Sequence, residues 1–106
     1  MSNESDLKDK LRKKIRAKGA WCFSPVQMGY GASGIPDIIA CVPYKIKPED
    51  VGKTFGLFIG IEAKMGSNTP SSLQWDQLRG IKAAHGKALI VTGKNKKGLP
   101  YKVEEV

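Results

Sequence analysis

The chain has 106 residues, 41% of them hydrophobic, which is enough for one small core and leaves no room for a second domain. It carries 18 Lys and Arg residues against 10 Asp and Glu residues, a formal net charge of +8. This excess favours a polyanionic partner, nucleic acid first and an anionic membrane surface second.

The first half of the chain predicts one helix and two strands. Residues 3–18 predict an amphipathic helix, because apolar residues recur at every fourth position among charged neighbours. These apolar residues are Leu7, Leu11 and Ile15. Residues 20–26 predict a strand that enters the core, and a glycine-rich loop follows it. The apolar run IIACV, residues 38–42, lies between two prolines and predicts a second strand.

The second half predicts the remaining strands and a second helix. Residues 56–64, GLFIGIEAK, form the strongest strand pattern of the chain. Residues 70–85 predict a helix with Thr69 as its N-cap. Residues 87–93 predict a buried strand, and residues 101–106 are a candidate edge strand. The order α-β-β-β-α-β predicts an α/β fold, in which helices flank a mixed central sheet.

Cysteine spacing and hydropathy exclude further classes of protein. Cys22 and Cys41 lie 19 positions apart, without the ligand spacing of a zinc site, so we expect buried free thiols. No apolar run approaches the roughly 20 residues of a membrane span. Residues 1–10 lack the apolar segment of a signal peptide. We therefore expect an intracellular, cytoplasmic protein.

The segment Gly29–Gly34 spells G-x-G-x-x-G, the pattern of a dinucleotide-binding loop. Such a loop requires a helix that begins at its last glycine. Here Ile35, Pro36 and a predicted strand follow, and the proline favours an extended residue before it. We therefore expect a loop that lets a large ligand approach the backbone, not a nucleotide clamp. Tyr30 would either stack on a base or sugar or be an ordinary surface residue.

Three side chains carry the candidate chemistry. Asp37 opens the second predicted strand, and Glu62 and Lys64 project from one face of the third, because strand side chains alternate. The alternating apolar residues are expected to face the core: Ile59, Ile61 and Ala63. If the strands that carry Asp37 and Glu62 are adjacent, these carboxylates form an oxygen site of the kind that Mg²⁺ and Mn²⁺ prefer. The backbone carbonyl of Ala63 is a candidate third ligand. The alternative is that Glu62 and Lys64 are ordinary polar residues of a half-exposed strand.

The segments G-I-P-D and I-E-A-K, with a following helix that bears S-x-x-Q, resemble the PD-(D/E)XK nuclease superfamily. Within it they most resemble the stand-alone, phage-type VRR-NUC domain, over residues 4–92 and most distinctively in the block AWCFSPVQMGYGASGIPDIIAC. The resemblance implies a restriction-endonuclease-like αβββαβ core and a Mg²⁺- or Mn²⁺-dependent endonuclease. In it Asp37 and Glu62 would bind metal, and Lys64 would be the catalytic lysine. It also implies branched DNA, such as four-way (Holliday) junctions, as substrate, a homodimer and a phage or mobile-element origin.

The resemblance further implies an acidic metal ligand on the first helix, for which Glu4, Asp6 and Asp9 compete. At about 100° per residue, Glu4 lies roughly 20° from Leu11 and continues the expected buried stripe. Asp6 lies about 140° from Leu11, and Asp9 about 160°, on the solvent side. We choose Glu4 as the additional metal ligand, bound directly or through water. The alternative is that Glu4 only complements the helix dipole.

A glutamine on the second helix completes the expected site. Gln74 shares a helix face with Leu78 and Ile81, and the resemblance places a glutamine beside the active site. We expect Gln74 to orient a water molecule or a phosphate, with Gln77 as the weaker choice. His85, the only histidine, is expected to be either a capping residue at the end of this helix or a surface residue.

Two other functional classes are consistent with the sequence. One is a basic nucleic-acid-binding module without catalysis, and the other is a small interaction protein whose charge only keeps it in solution. A nuclease that acts on flaps or other DNA structures, instead of four-way junctions, is a further variant of the nuclease interpretation.

Overall fold

The computed structural model describes residues 4–26, 34–94 and 100–106, which form two helices, five strands and a 3₁₀ turn. They belong to two compact units, Met1–Tyr44 and Lys45–Val106. The fold is mixed α/β, as predicted, and the elements follow the predicted order. The loop of Gly29–Gly34 with Tyr30 falls almost wholly outside the described residues. A single domain over residues 1–106 stays a prediction.

The first unit consists of one helix and a two-stranded antiparallel sheet. Helix α1 (Glu4–Arg16) packs on strand β1 (Trp21–Phe23), which pairs with β2 (Ile39–Cys41). All three elements are shorter than the patterns from which they were predicted. Cys22 and Cys41 are buried free thiols, as expected for apolar strand positions.

Helix α1 turns a different face inward from the one that its apolar spacing predicts. Leu7 and Leu11 are exposed, and no residue of this helix is buried, so the predicted buried stripe is wrong. The half-buried residues lie on a neighbouring line: Lys8, Arg12 and Ile15. The physical reason is polar contact, because Arg12 donates to the Ser24 hydroxyl and Arg16 donates to the Cys22 carbonyl.

The second unit is a mixed three-stranded sheet with one helix on it. It contains the 3₁₀ turn Pro48–Asp50, β3 (Ile59–Met65), α2 (Ser72–Ala83), β4 (Lys87–Gly93) and β5 (Tyr101–Glu105). The strand order is β3-β4-β5, with β3 parallel to β4 and β5 antiparallel to it. Parallel neighbours require a crossover connection, and α2 provides it. The prediction of a mixed sheet is confirmed, although the described strands form two sheets rather than one.

The core of the second unit lies between α2 and the strands β3 and β4. Its buried side chains come from both layers: Leu78, Ile81, Ala84, Ala88 and Ile90. Gly60 allows α2 to approach β3, since a Cβ atom there would stand 2.5 Å from Cδ1 of Ile81. By alternation, Glu62 and Lys64 share the helix-covered face with Gly60. The prediction that Ile59, Ile61 and Ala63 face the core is therefore wrong, and Ile61 is 60% exposed.

We expect Gly60→Ala to destabilise the protein by about 1–3 kcal/mol, because the added methyl group overlaps the buried Ile81 side chain. Ile81→Val removes the overlapped Cδ1 atom and should on its own lose about 0.5–1.5 kcal/mol. In the double variant the two losses should be less than additive. Urea unfolding of the four proteins measures this coupling, and strict additivity would contradict the close packing of α2 on Gly60.

Helix α2 begins and ends with defined caps. Ser71, not Thr69, is the N-cap, and its hydroxyl accepts a hydrogen bond from the Gln74 amide at 3.2 Å. At the other end, His85 has a φ of 70°, and the Gly86 amide donates to the Ile81 carbonyl. This is a Schellman-type end, so the expectation that His85 caps the helix is confirmed. Neither described helix is long and apolar enough to span a membrane.

Candidate active site

Glu62 and Lys64 form an ion pair on the helix-covered face of β3, near its carboxyl end. The Lys64 ammonium lies 3.5 Å from a Glu62 carboxylate oxygen, and the side chains are 21% and 24% exposed. The prediction that both project from one face is confirmed. Because α2 shields this face from much of the solvent, the charges act in a medium less polar than bulk water. An ammonium and a carboxylate are thus held together at a position that solvent still reaches.

The backbone of β3 offers a carbonyl oxygen beside this pair. The Lys87 amide donates to the Phe58 carbonyl at 2.9 Å, so the carbonyls of residues 58, 60, 62 and 64 point toward β4. The Ala63 carbonyl therefore points to the opposite edge of the strand. Among the described residues, β3 pairs with β4 alone, so this edge forms no sheet hydrogen bonds there. Ala63 is accordingly available as the oxygen ligand that the sequence suggested.

Register across the sheet places further polar groups in line with the pair. Lys64 lies opposite Thr92, and Thr92 lies opposite Lys102, so one residue of each strand forms a row on the helix-covered face. Lys102 forms an ion pair with Glu104 at 2.9 Å. Sequence reasoning missed Thr92 and Lys102, because only the pairing register brings them into line with Lys64.

Asp37 lies in the first unit, at a bend two residues before β2 begins. Its carboxylate is 3.7 Å from the Lys8 ammonium of α1, and its side chain is 55% exposed. Asp37 precedes the strand and does not belong to it. In the described residues β2 pairs with β1, antiparallel, and β3 pairs with β4, parallel, so no described pairing joins the strand after Asp37 to the strand of Glu62.

Glu4 is the first residue of α1 and is exposed. It precedes Lys8 by one turn, about 40° away around the helix, on the side where Lys8 meets Asp37. Asp6 and Asp9 lie about 160° and 100° from Lys8, and Asp9 pairs with Arg12. The buried stripe from which Glu4 was chosen is absent, and the choice of Glu4 among the three acids stays a prediction.

Gln74 has a structural role that the sequence reasoning missed. Its side-chain carbonyl oxygen accepts a hydrogen bond from the Ser71 amide at 2.9 Å, which completes a capping box at the start of α2. The S-x-x-Q pattern of residues 71–74 is itself the signature of this box. Its amide nitrogen is the part that could still donate to a water molecule or a phosphate.

The capping box allows the two roles of Gln74 to be separated. Gln74→Ala and Ser71→Ala break the same box from opposite sides, so each should lose about 1 kcal/mol of stability. If Gln74 also orients a water or phosphate, DNA cleavage should fall only in Gln74→Ala, and only in part. Thermal unfolding and cleavage rates of the two variants measure this, and equal cleavage rates would leave Gln74 a purely structural residue.

Each unit carries oxygen donors of the kind that a hard divalent cation takes. The first unit has the carboxylates of Glu4 and Asp37, and the second has the carboxylate of Glu62 and the Ala63 carbonyl, at an edge of β3 that forms no sheet hydrogen bonds among the described residues. These are ligands of the class that Mg²⁺ and Mn²⁺ prefer. Within residues 4–26, 34–94 and 100–106, no group of three His, Cys, Asp or Glu side chains is assembled as a metal site.

Comparison of the chain with protein-family models, with curated proteins and with solved structures found no match.

Proposed function

We propose that the protein is a Mg²⁺- or Mn²⁺-dependent DNA endonuclease that hydrolyses phosphodiester bonds of branched DNA, such as four-way junctions. The observation that carries the proposal is the Glu62–Lys64 pair, held 3.5 Å apart on the partly shielded face of β3. A carboxylate and an ammonium two residues apart, beside an outward-pointing carbonyl, match the E-x-K element of the PD-(D/E)XK resemblance.

The architecture of the second unit supports a restriction-endonuclease-like core as part of the proposal. The parallel strands β3 and β4 are joined through α2, and the candidate residues lie near the carboxyl end of β3. Ligand sites of open α/β sheets lie at the carboxyl ends of their strands. Helix α1 and the β1–β2 pair would complete the αβββαβ order in the first unit.

The residues have separate roles in the proposed reaction. Asp37, Glu62, the Ala63 carbonyl and Glu4 would hold the cation, which would neutralise negative charge on the scissile phosphate. Lys64 orients the attacking water and stabilises the negative charge that develops on the phosphate oxygens. The water attacks phosphorus in line with the leaving oxygen and gives up a proton to solvent. One P–O bond forms, the opposite one breaks, and the leaving oxygen takes a proton from solvent. Gln74 would help to hold the water or the phosphate through its amide group.

The net charge of +8 supports DNA as the partner. Lys and Arg side chains that contact phosphates release counterions, so the affinity should be independent of sequence and fall steeply with salt. A cytoplasmic location, inside the host cell if the gene is phage-borne, belongs to the same proposal.

A homodimer is also part of the proposal. The sheet face opposite α2 carries exposed large side chains: Ile59, Ile61, Met65, Tyr101 and Val103. Contiguous exposed apolar surface of this kind is typical of interaction sites. A second copy bound there would supply a second active site for the opposite strand of a branched substrate.

The alternative is a basic DNA-binding module without catalysis. One observation favours it, because Asp37 and Glu62 each already have a lysine partner, Lys8 and Lys64, and could be satisfied as surface ion pairs. Incubation with four-way junctions, flaps, splayed arms and linear duplex, each with Mg²⁺, Mn²⁺ or EDTA, separates the two. We expect cleavage of branched substrates that EDTA abolishes. Binding without cleavage under every condition would leave the non-catalytic module.

A further inference from the structure

The second unit contains a cleft that the proposed reaction does not use. Its volume is about 350 Å³, and it lies where β3 leads into α2, beside β4 and β5. Three hydroxyl groups, an amide and two ammonium groups line it: Ser67, Thr69, Thr92, Asn68, Lys94 and Lys102. We refer to it as the Thr92 cleft. Neutral donors together with ammonium groups are the usual contacts of a phosphate oxyanion.

The single carboxylate among the lining residues belongs to Glu104, which is engaged by Lys102 at 2.9 Å. Two lysines against one glutamate leave the cleft with a net positive charge. Among the described residues, Lys94 forms no ion pair, and Glu104 is engaged by Lys102, so the Lys94 ammonium remains available to an anion. The lining thus attracts an anion, and Glu104 limits the attraction by holding Lys102.

The cleft lies beside the candidate active site on the same face of the sheet. Lys64, Thr92 and Lys102 occupy one row across β3, β4 and β5. Neighbouring strands are about 4.8 Å apart, so the backbone at Thr92 lies about 5 Å from that at Lys64, and Lys102 about 10 Å away. At about 3.4 Å per nucleotide along a B-form strand, this distance covers roughly one to three nucleotides.

We propose that the Thr92 cleft binds a phosphate group of the DNA strand, one to three nucleotides from the bond that is cut. The inference rests on the proposed function, because a polynucleotide held at Lys64 is what would bring a second phosphate to this distance. The cleft would fix the register of the strand, and it would do so without reading the base sequence.

The test is DNA binding in EDTA, so that no cleavage occurs, measured by fluorescence anisotropy with a labelled four-way junction. Lys102→Gln should weaken binding about fivefold and lower the salt slope by about one. Thr92→Val, which removes a hydroxyl without changing charge, should weaken binding about threefold, and Thr92→Ser should restore it. Glu104→Gln should tighten binding about two- to threefold, because Lys102 is then released to the phosphate.

The pair Lys87–Glu105 supplies matched controls. It links β4 and β5 at the end of the sheet remote from Thr92, with a 3.5 Å ion pair. Lys87→Gln and Glu105→Gln make the same charge changes and should alter affinity less than twofold. If Lys102→Gln and Lys87→Gln weaken binding equally, affinity depends only on overall charge, and the proposal that the cleft binds a phosphate is overturned. Unchanged binding in both Thr92→Val and Glu104→Gln overturns it as well.

The outcomes separate the cleft from the proposed enzyme. If the wild-type protein binds and cuts the junction while the cleft variants match it in affinity, only the cleft inference fails. If it binds without cutting and the cleft variants behave as expected, the nuclease proposal fails and the phosphate site stands. A wild-type protein that binds no DNA overturns both. A further outcome is that inorganic phosphate shifts the NMR signals of residues 67–69 and 92, while the cleft variants bind DNA with the wild-type affinity. The cleft would then bind a small phosphate compound, and the proposal that it contacts the DNA strand would be overturned.

Discussion

Replacing Lys64 by alanine is expected to lower the cleavage rate of a four-way junction by about 10²–10³-fold with little change in DNA affinity. The reason is that in the proposed reaction its ammonium, 3.5 Å from Glu62, stabilises the charge that develops on the phosphate. A partly exposed ion pair contributes only about 0–1 kcal/mol to stability, so the variant should remain folded. Single-turnover cleavage with Mg²⁺, together with anisotropy and thermal unfolding, measures all three quantities.

Lys87→Ala is the matched control for Lys64→Ala. Lys87 also lies on a parallel strand of this sheet and also forms a 3.5 Å ion pair, with Glu105, at the end of β4 remote from Thr92. The control should cleave at nearly the wild-type rate. Equal rates in the two variants, or wild-type cleavage by Lys64→Ala, would remove Lys64 from the reaction.

Asp37→Asn is expected to lower cleavage to a similar extent, about 10²-fold or more, because an amide would replace a charged oxygen ligand of the proposed cation with a neutral one. The change leaves the size of the side chain nearly the same. Asp37 is 55% exposed and, among the described residues, forms an ion pair with Lys8, so loss of its charge should not unfold the first unit. Cleavage at several Mg²⁺ and Mn²⁺ concentrations would show whether excess metal restores part of the rate.

Asp9→Asn is the matched control for Asp37→Asn, because it removes the same charge from the surface of the same unit. Asp9 belongs to the same unit, is 58% exposed and also pairs with a basic side chain, that of Arg12. We expect it to cleave at the wild-type rate and with the wild-type metal dependence. If Asp9→Asn and Asp37→Asn lose activity together, the effect is one of surface charge and not of metal ligation.

The order of elements and the chemistry of β3 could be predicted from sequence, because both depend on local patterns. Alternation puts Glu62 and Lys64 on one face whatever the sheet does around them, and the structure places them 3.5 Å apart. Which face the helix covers was predicted wrongly. The absence of a side chain at Gly60 decides this by admitting Ile81, and that contact depends on residues 21 positions apart.

The inward face of helix α1 was also predicted wrongly from the sequence. Its apolar spacing favours burial of Leu7 and Leu11, yet the inward side carries Lys8 and Arg12, whose contacts with Asp37 and Ser24 come from distant segments. Apolar periodicity takes no account of such polar partners. The row of Lys64, Thr92 and Lys102 could not be predicted from the sequence for a similar reason, since strand register is set by the whole sheet.

Binding of Mn²⁺, followed by the EPR signal of the free ion, tests most directly whether Asp37 and Glu62 hold one cation. The wild-type protein should bind Mn²⁺, and Asp37→Asn and Glu62→Gln should each remove the same site, while Asp9→Asn leaves it intact. Wild-type Mn²⁺ binding in both Asp37→Asn and Glu62→Gln, or no binding by the wild-type protein with DNA present, would contradict a shared metal site.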